Sequence, residues 1–319
     1  MVKWTNLHAK FVNSEMTNIE HLKTIHEFHR SRALPPPQHP LISVVDYADV
    51  HLSPEKEGVS WVFDFYSISL KRNLNGKIKY GQQEYDFDEG VMFFISPGQV
   101  FSIQTDHETP SQKSGWILLV HPDFLWNTLL SKNIKRYEYF DYSVHEALFL
   151  SEKEENITAG IIQNIKQELR ENIDKFSQQI IISQIETLLN YADRFYHRQF
   201  ITRKITSHQI LDRLEELLEN HFNSDEVAKN GLPTVQFISE SLNVSPGYLR
   251  SMLKILTGRN TQQHIHEKLI EKAKEKLSTT DLSISEIAYE LGFEHSQSFS
   301  KLFKTRTHLS PLEFRHSFN

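Results

Sequence analysis

Apolar residues recur along this chain with two different periods, and the change of period divides it. From Ile42 to Val120 the pattern is short and strand-like: Ile42 to Val45, Trp61 to Leu70, Lys77 to Tyr80, Glu84 to Phe87, Val91 to Ile95, Val100 to Ile103 and Gly115 to Val120. Asn75-Gly76, Glu89-Gly90 and Pro97-Gly98 punctuate these runs as turns. Regular short strands with polar turns predict a sandwich or jelly roll. Ahead of them, Met16 to Arg32 carries Ile19, Leu22, Ile25 and Phe28 at helical spacing, and Leu34 to Pro40 (LPPPQHP) is an extended lead-in. Residues 1–15 show no repeating pattern, which makes Met16 a candidate start and the preceding segment an extension. Phe124 to Leu130 begins helical, and Tyr137 to Leu150 fits neither period.

The helical period then takes over. Asn156 to Phe176 and Ser177 to Phe200 each carry an apolar stripe, the second through Ile181, Ile185, Leu188, Leu189 and Ala192. Ile201 to His208 (ITRKITSH) is polar and β-branched, the composition of a linker. A helix from Ile210 to Phe222 follows, with Asp212, Glu215, Glu216 and Glu219 on its polar face. The pattern predicts segments 1–150, 151–202 and 203–319.

Two stretches near the C-terminus share one architecture. In Thr234 to Leu256, a capped helix through Val235, Ile238 and Leu242 meets a turn at Asn243-Val244-Ser245 and a second helix carrying Leu249, Leu253 and Leu256 inward. In Ser283 to Arg315, Ile284, Ile287, Ala288 and Leu291 form the first stripe, Gly292 makes the turn, and Phe299, Leu302 and Phe303 form the second. His295 or Ser296 is placed to cap that second helix. Each pair reads as a helix-turn-helix, and Thr261 to Leu277 is a helical spacer between them. The outward residues of the two second helices suit base edges: Gly247, Arg250 and Ser251 in the first, His295, Ser296, Gln297 and Lys301 in the second. Ser245, Lys254, Lys304 and Arg306 are placed for phosphates.

Composition narrows the chemistry. At 319 residues the chain holds two domains of ordinary size. Absence of cysteine excludes disulfides, thiolate metal sites and a cysteine nucleophile. No long apolar run or signal-peptide pattern is visible, so the expected location is the cytoplasm, away from membranes. The formal charge of −6 is uneven: Leu232 to Asn319 holds 11 Lys+Arg against 9 Asp+Glu, leaving the remainder acidic. His21, His26 and His29 do not share one helical face. His264 and His266 also face different ways, while His51, His107 and His121 are isolated. No metal, cofactor or catalytic set is expected from them.

The motifs I-A-x-x-x-G-F, S-F-S-K-x-F-K and L-S-P-x-E-F-R, between Ile287 and Arg315, resemble the C-terminal signature of AraC/XylS-type bacterial transcription regulators. His308 departs from that pattern, which has Gly there, as do Asn243, also for Gly, and Ser239, for Ala. GVMFFISPGQVFSI resembles the cupin-like sensor found ahead of such domains. The implied fold is α+β and multidomain: an N-terminal cupin-like barrel or jelly roll with helices, then an all-α domain with two helix-turn-helix units. The resemblance implies an activator that binds double-stranded DNA, responds to a small organic effector, contacts RNA polymerase and pairs as a homodimer through Ile181, Ile185, Leu188, Leu189 and Ala192. Trp61, Phe63, Phe65, Phe94, Phe101 and Trp116 are the candidate effector-pocket residues. The competing reading is a metal-dependent cupin enzyme with an accessory helical domain.

Overall fold

The computed structural model describes residues 19–51, 59–72, 90–102, 113–142, 146–170, 174, 176–202, 204–224, 227 and 231–317. The candidate start at Met16, the strands expected at Lys77 to Tyr80 and Glu84 to Phe87, and His107 lie outside them. Two compact units divide between Gln199 and Phe200.

In the first unit, β1 (Ile19–Leu22), β3 (Ser60–Phe63) and β6 (Val100–Ser102) make a three-stranded sheet. β2 (Ile42–Asp46), β4 (Tyr66–Arg72), β5 (Gly90–Ile95), β7 (Ser114–Val120) and β8 (Leu148–Leu150) make a second sheet, ordered β2-β7-β4-β5-β8 and antiparallel throughout. One buried cluster draws on both: Leu22, Trp61, Phe63 and Phe101 from the first, Val45, Ile95, Ile117 and Leu119 from the second.

Two sequence expectations change here. The helix expected from Met16 to Arg32 is β1 followed by a shorter α1 (Ile25–Ser31), because Thr24 and Glu27 form a reciprocal capping box that starts the helix there. Upstream, β1 is held in extended form by parallel pairing with β3. The single strand expected from Trp61 to Leu70 is two strands, broken at Asp64 and Phe65, where the Asp64 N–H donates to the Leu22 carbonyl at 3.1 Å.

Every residue of β5 is buried, although a strand with one wet face would alternate. Its second face is covered by helices. After the short α2 (Leu129–Asn133) come α3 (Glu152–Arg170) and α4 (Ser177–Thr202). Phe94 lies 4.5 Å from the Tyr139 ring and 6.2 Å from Tyr196 of α4, whose hydroxyl donates to the Glu146 carbonyl at 3.1 Å. The buried Glu155 carboxylate of α3 accepts from the Gly90 N–H at 2.6 Å and pairs with Arg72. A Cβ at position 90 would occupy the space of that carboxylate, so the approach needs glycine.

Ile181, Ile185, Leu188, Leu189 and Ala192 are each at most 2% exposed within the single chain. They belong to its own core, worth about 1.5–3 kcal/mol for each large apolar side chain. A second copy cannot reach these five, which corrects their assignment to a homodimer interface. The periodicity marked a buried stripe correctly but did not say what buries it.

The second unit is helical: α5 (Lys204–Asn223), α6 (Val235–Leu242), α7 (Pro246–Thr257), α8 (Thr261–Thr279), α9 (Ile284–Glu290), α10 (Ser296–Thr307) and α11 (Pro311–His316). The segment expected as a linker, Ile201 to His208, is helical at Ile201 and Thr202 and again from Lys204 onward.

Candidate nucleic-acid interface

Each half of the second unit is set by its caps. The Thr234 hydroxyl accepts the Phe237 N–H to start α6, and Asn243 ends it in the left-handed region at φ 57°. Asparagine tolerates that backbone better than any residue but glycine, so the turn survives the departure from the family pattern. Ser245 then caps α7 through the Tyr248 N–H, with Pro246 at the first helical position, and Gly258 ends the helix. Ile238, Leu249, Met252 and Leu253, none more than 0% exposed, fill the angle between the two helices.

The distal pair repeats the plan. Ser283 and Glu286 form a capping box at α9, and Gly292 makes the turn at φ 80°. A Cβ there would lie 2.9 Å from Val227 Cγ1 and from its carbonyl oxygen, so glycine is required by space as well as conformation. Of the two residues expected to cap α10, His295 or Ser296, His295 occupies the N-cap position, though its ring makes no capping bond. His308 ends the helix at φ 64°, the local adjustment by which a non-glycine residue holds the left-handed turn. Phe293, Phe299, Phe303 and Phe314 form a chain of ring contacts at 5.5–5.8 Å beneath α10.

The spacer α8 has 19 residues, about 28 Å at about 1.5 Å per residue. Ion pairs fix it on both sides. Lys272 Nζ reaches Glu219 of α5 at 2.7 Å with Lys268 beside it, and Lys276 Nζ reaches Glu290 of α9 at 2.7 Å. The two lysines hold the Glu219 carboxyl at about 2, well below the usual carboxylate range. Arg315 closes the distal unit by donating to the Leu282 carbonyl at 2.6 Å and the Leu277 carbonyl at 3.3 Å. From the motif alone that arginine has no further role. These lysines count in the regional charge yet are committed inside the protein.

On α7, Arg250 and Lys254 are exposed and Ser251 is half-buried. Gly247 is buried, which corrects its outward placement: it sits in the first turn of α7, between the cap Ser245 and Leu249. The Ser245 hydroxyl is likewise committed to its cap. On α10, His295, Gln297, Lys301 and Lys304 are exposed and Ser296 is half-buried. Lys254, Lys301 and Lys304 have no ion-pair partner among the described residues. Arg306 is exposed, and its Nη2 donates to Nδ1 of His266 on α8 at 3.1 Å. Burial, then the charge of Arg306, lowers the His266 pKa and keeps that ring neutral as an acceptor.

The six aromatic residues expected to line an effector pocket do not meet. Trp61, Phe63, Phe65 and Phe101 pack in the cluster between the sheets. Strand pairing sets Phe94 opposite Ile68, and Trp116 opposite Leu70, on the other face of the five-stranded sheet. A cleft of about 340 Å³ lies elsewhere in the first unit, lined in part by Pro35, Pro36, Asp46, Lys166 and Arg170. Among the described residues no helix is long and apolar enough to cross a membrane, and no group of three His, Asp or Glu is placed to hold a metal ion.

Two capped helix pairs, each presenting a polar second helix and joined by a continuous spacer, define a tandem helix-turn-helix DNA-binding unit. Residues 238–317 match the family described as helix-turn-helix domain. An uncharacterized HTH-type transcriptional regulator of Pseudoalteromonas carrageenovora is 33% identical over 116 residues, covering 36% of this chain and 64% of that protein. Another, from Staphylococcus aureus strain MSSA476, is 28% identical over 138 residues, 43% of this chain; the chain spans only 17% of that relative's length. The solved C-terminal domain of AraT, a response regulator from Geobacillus stearothermophilus, is 32% identical, with 34% of this chain and 84% of that one covered at a TM-score of 0.30. Residues 238–317 of this chain form an AraC-type helix-turn-helix domain.

Proposed function

We propose that the protein is a sequence-specific transcription regulator whose first unit senses a signal and whose second unit reads DNA. The observation that carries this reading is the pair of exposed second helices, α7 and α10, with Arg250, Lys254, Gln297, Lys301 and Lys304 on their solvent faces. Arg250 addresses guanine O6 and N7 with its fork, Gln297 and Lys301 read a second groove, and Lys254, Lys304 and Arg306 contact phosphates. His295 and Ser296 support base contacts from the start of α10, and Ser251 from the middle of α7.

Two facing sheets around an aromatic core support a cupin-like sensor. An effector bound there would shift the arrangement of the DNA-reading units and so change promoter occupancy, as an activator acting with RNA polymerase does. Pairing of two copies belongs to the proposal, through surface other than the buried stripe of α4. A gel-shift series tests the reading. Arg250→Ala and Lys301→Ala should each relax sequence preference, while Lys304→Ala weakens specific and nonspecific binding alike. Unchanged binding in all three would remove the proposed DNA face.

A further inference from the structure

His264 and His266 stand two residues apart on the spacer α8, and each is tied to a different reading helix. His264 Nε2 lies 2.9 Å from Oγ1 of Thr257, the last residue of α7. His266 Nδ1 lies 3.1 Å from Nη2 of Arg306, in the last turn of α10. Both rings are half-buried. The helical spacing that keeps them from sharing a metal is what sends one ring to each helix pair.

The partners fix which nitrogen of each ring carries the proton. The Thr257 hydroxyl donates to the Leu253 carbonyl at 2.8 Å, so toward His264 it accepts, and the His264 hydrogen sits on Nε2. A guanidinium only donates, so Nδ1 of His266 is bare and accepts from Arg306. The His266 hydrogen is therefore on Nε2, 3.0 Å from the end of the Gln262 side-chain amide, whose oxygen accepts it. One ring is a donor and the other an acceptor. Protonation leaves the His264 bond to α7 intact, but it places a hydrogen on Nδ1 of His266 and sets two cations against each other.

Arg306 has no carboxylate partner among the described residues. A carboxylate would cancel its charge, whereas a neutral imidazole orients the fork and leaves that charge for a phosphate. Burial, then the charge of Arg306, lowers the His266 pKa. The other charged groups around this part of α8 are engaged elsewhere. Glu219 of α5 pairs with Lys268 and Lys272, Glu290 of α9 with Lys276, and Arg259 with Glu267 at 2.8 Å. Glu215, Glu267 and Arg259 act on His264, and Glu313 of α11 accepts the Ser310 N–H at 2.6 Å. We propose that His266 is a positioning residue for DNA binding: as a neutral acceptor it holds Arg306 against the spacer for a phosphate between the two grooves, and it releases Arg306 when protonated. Acid then loosens the hold of α10 and not that of α7. This role rests on the DNA reading proposed for those two helices and adds the residue that aims one phosphate contact.

The test measures binding of the full chain to a duplex that wild type has selected from a random pool. It compares wild type, Arg306→Ala, His266→Ala, His266→Asn and the double variant His266→Ala/Arg306→Ala. At about pH 8, Arg306→Ala and His266→Ala should each lose about threefold to tenfold in affinity. Each should also flatten the salt dependence by a slope of about 1, and the double variant should bind no more weakly than Arg306→Ala. His266→Asn supplies an oxygen acceptor in place of Nδ1 and does not titrate, so it should bind as wild type does. Between about pH 8 and about pH 5, wild type should weaken relative to His266→Asn by a similar factor. His208, His221, His295, His308 and His316 are present in both proteins and cancel in that ratio. Added positive charge on its own would tighten wild type relative to His266→Asn, so a ratio that stays constant or moves that way would overturn the role. Unchanged affinity in His266→Ala, or losses that add in the double variant, would also overturn it. His266→Asn carries the test by itself if His266→Ala does not fold. A wild type that selects no duplex defeats the DNA reading itself, whereas one that selects a duplex and binds it independently of Arg306 defeats only this role.

Discussion

Ser239 shows how much a single hydroxyl weighs in this protein. It lies on α6, is 1% exposed, and its Oγ has no hydrogen-bond partner among the described residues. Removing an unsatisfied buried hydroxyl recovers its desolvation cost, so Ser239→Ala should raise the stability of the second unit by about 1 kcal/mol. Urea unfolding followed through that unit checks this, and a loss of stability would show that the hydroxyl has a partner. Lys71 makes a prediction about pH. Its folded pKa of about 8 lies below the ordinary lysine value, so between those two values the unfolded chain binds more protons. Stability of the first unit should therefore rise as pH increases from about 8 toward about 10.5, and Lys71→Met should flatten that rise. Thermal unfolding across this range would contradict the account if wild type and variant ran parallel.

At the scale of elements, the spacer α8 organises the second unit. Arg315→Ala would leave the Leu277 and Leu282 carbonyls, at the end of α8 and just beyond it, without their donor. A loss of about 1–3 kcal/mol is expected, read as a lower denaturation midpoint with unchanged slope. Glu219 joins α5 to α8 through Lys268 and Lys272, and its folded pKa of about 2 is depressed. The stability it contributes is present above the unfolded carboxylate pKa and is lost as pH falls from about 4.5 toward 2. Because the side chain is well exposed, that contribution is small and falls with salt. Glu219→Gln should remove the salt dependence that belongs to this pair.

The helix pairs were legible in the sequence because caps and stripes are local signals: Thr234, Ser245, Ser283 and Ser310 each cap the helix that follows. Gly247 was misplaced because helical spacing gives an azimuth and not the depth of a first turn. The strand at Ile19 was hidden because its pairing with β3 is long-range, and the stripe of α4 was visible while what buries it was not.

At the scale of the whole molecule, the central claim is that α7 and α10 read two separate groups of base pairs from positions fixed by α8. Selection of bound duplexes from a random pool by the full chain, repeated with Arg250→Ala and with Lys301→Ala, tests it most directly. The account predicts two preferred base clusters about 10 base pairs apart, centre to centre, with Arg250→Ala flattening one and Lys301→Ala flattening the other. A single cluster, or two clusters altered alike by both substitutions, would contradict it.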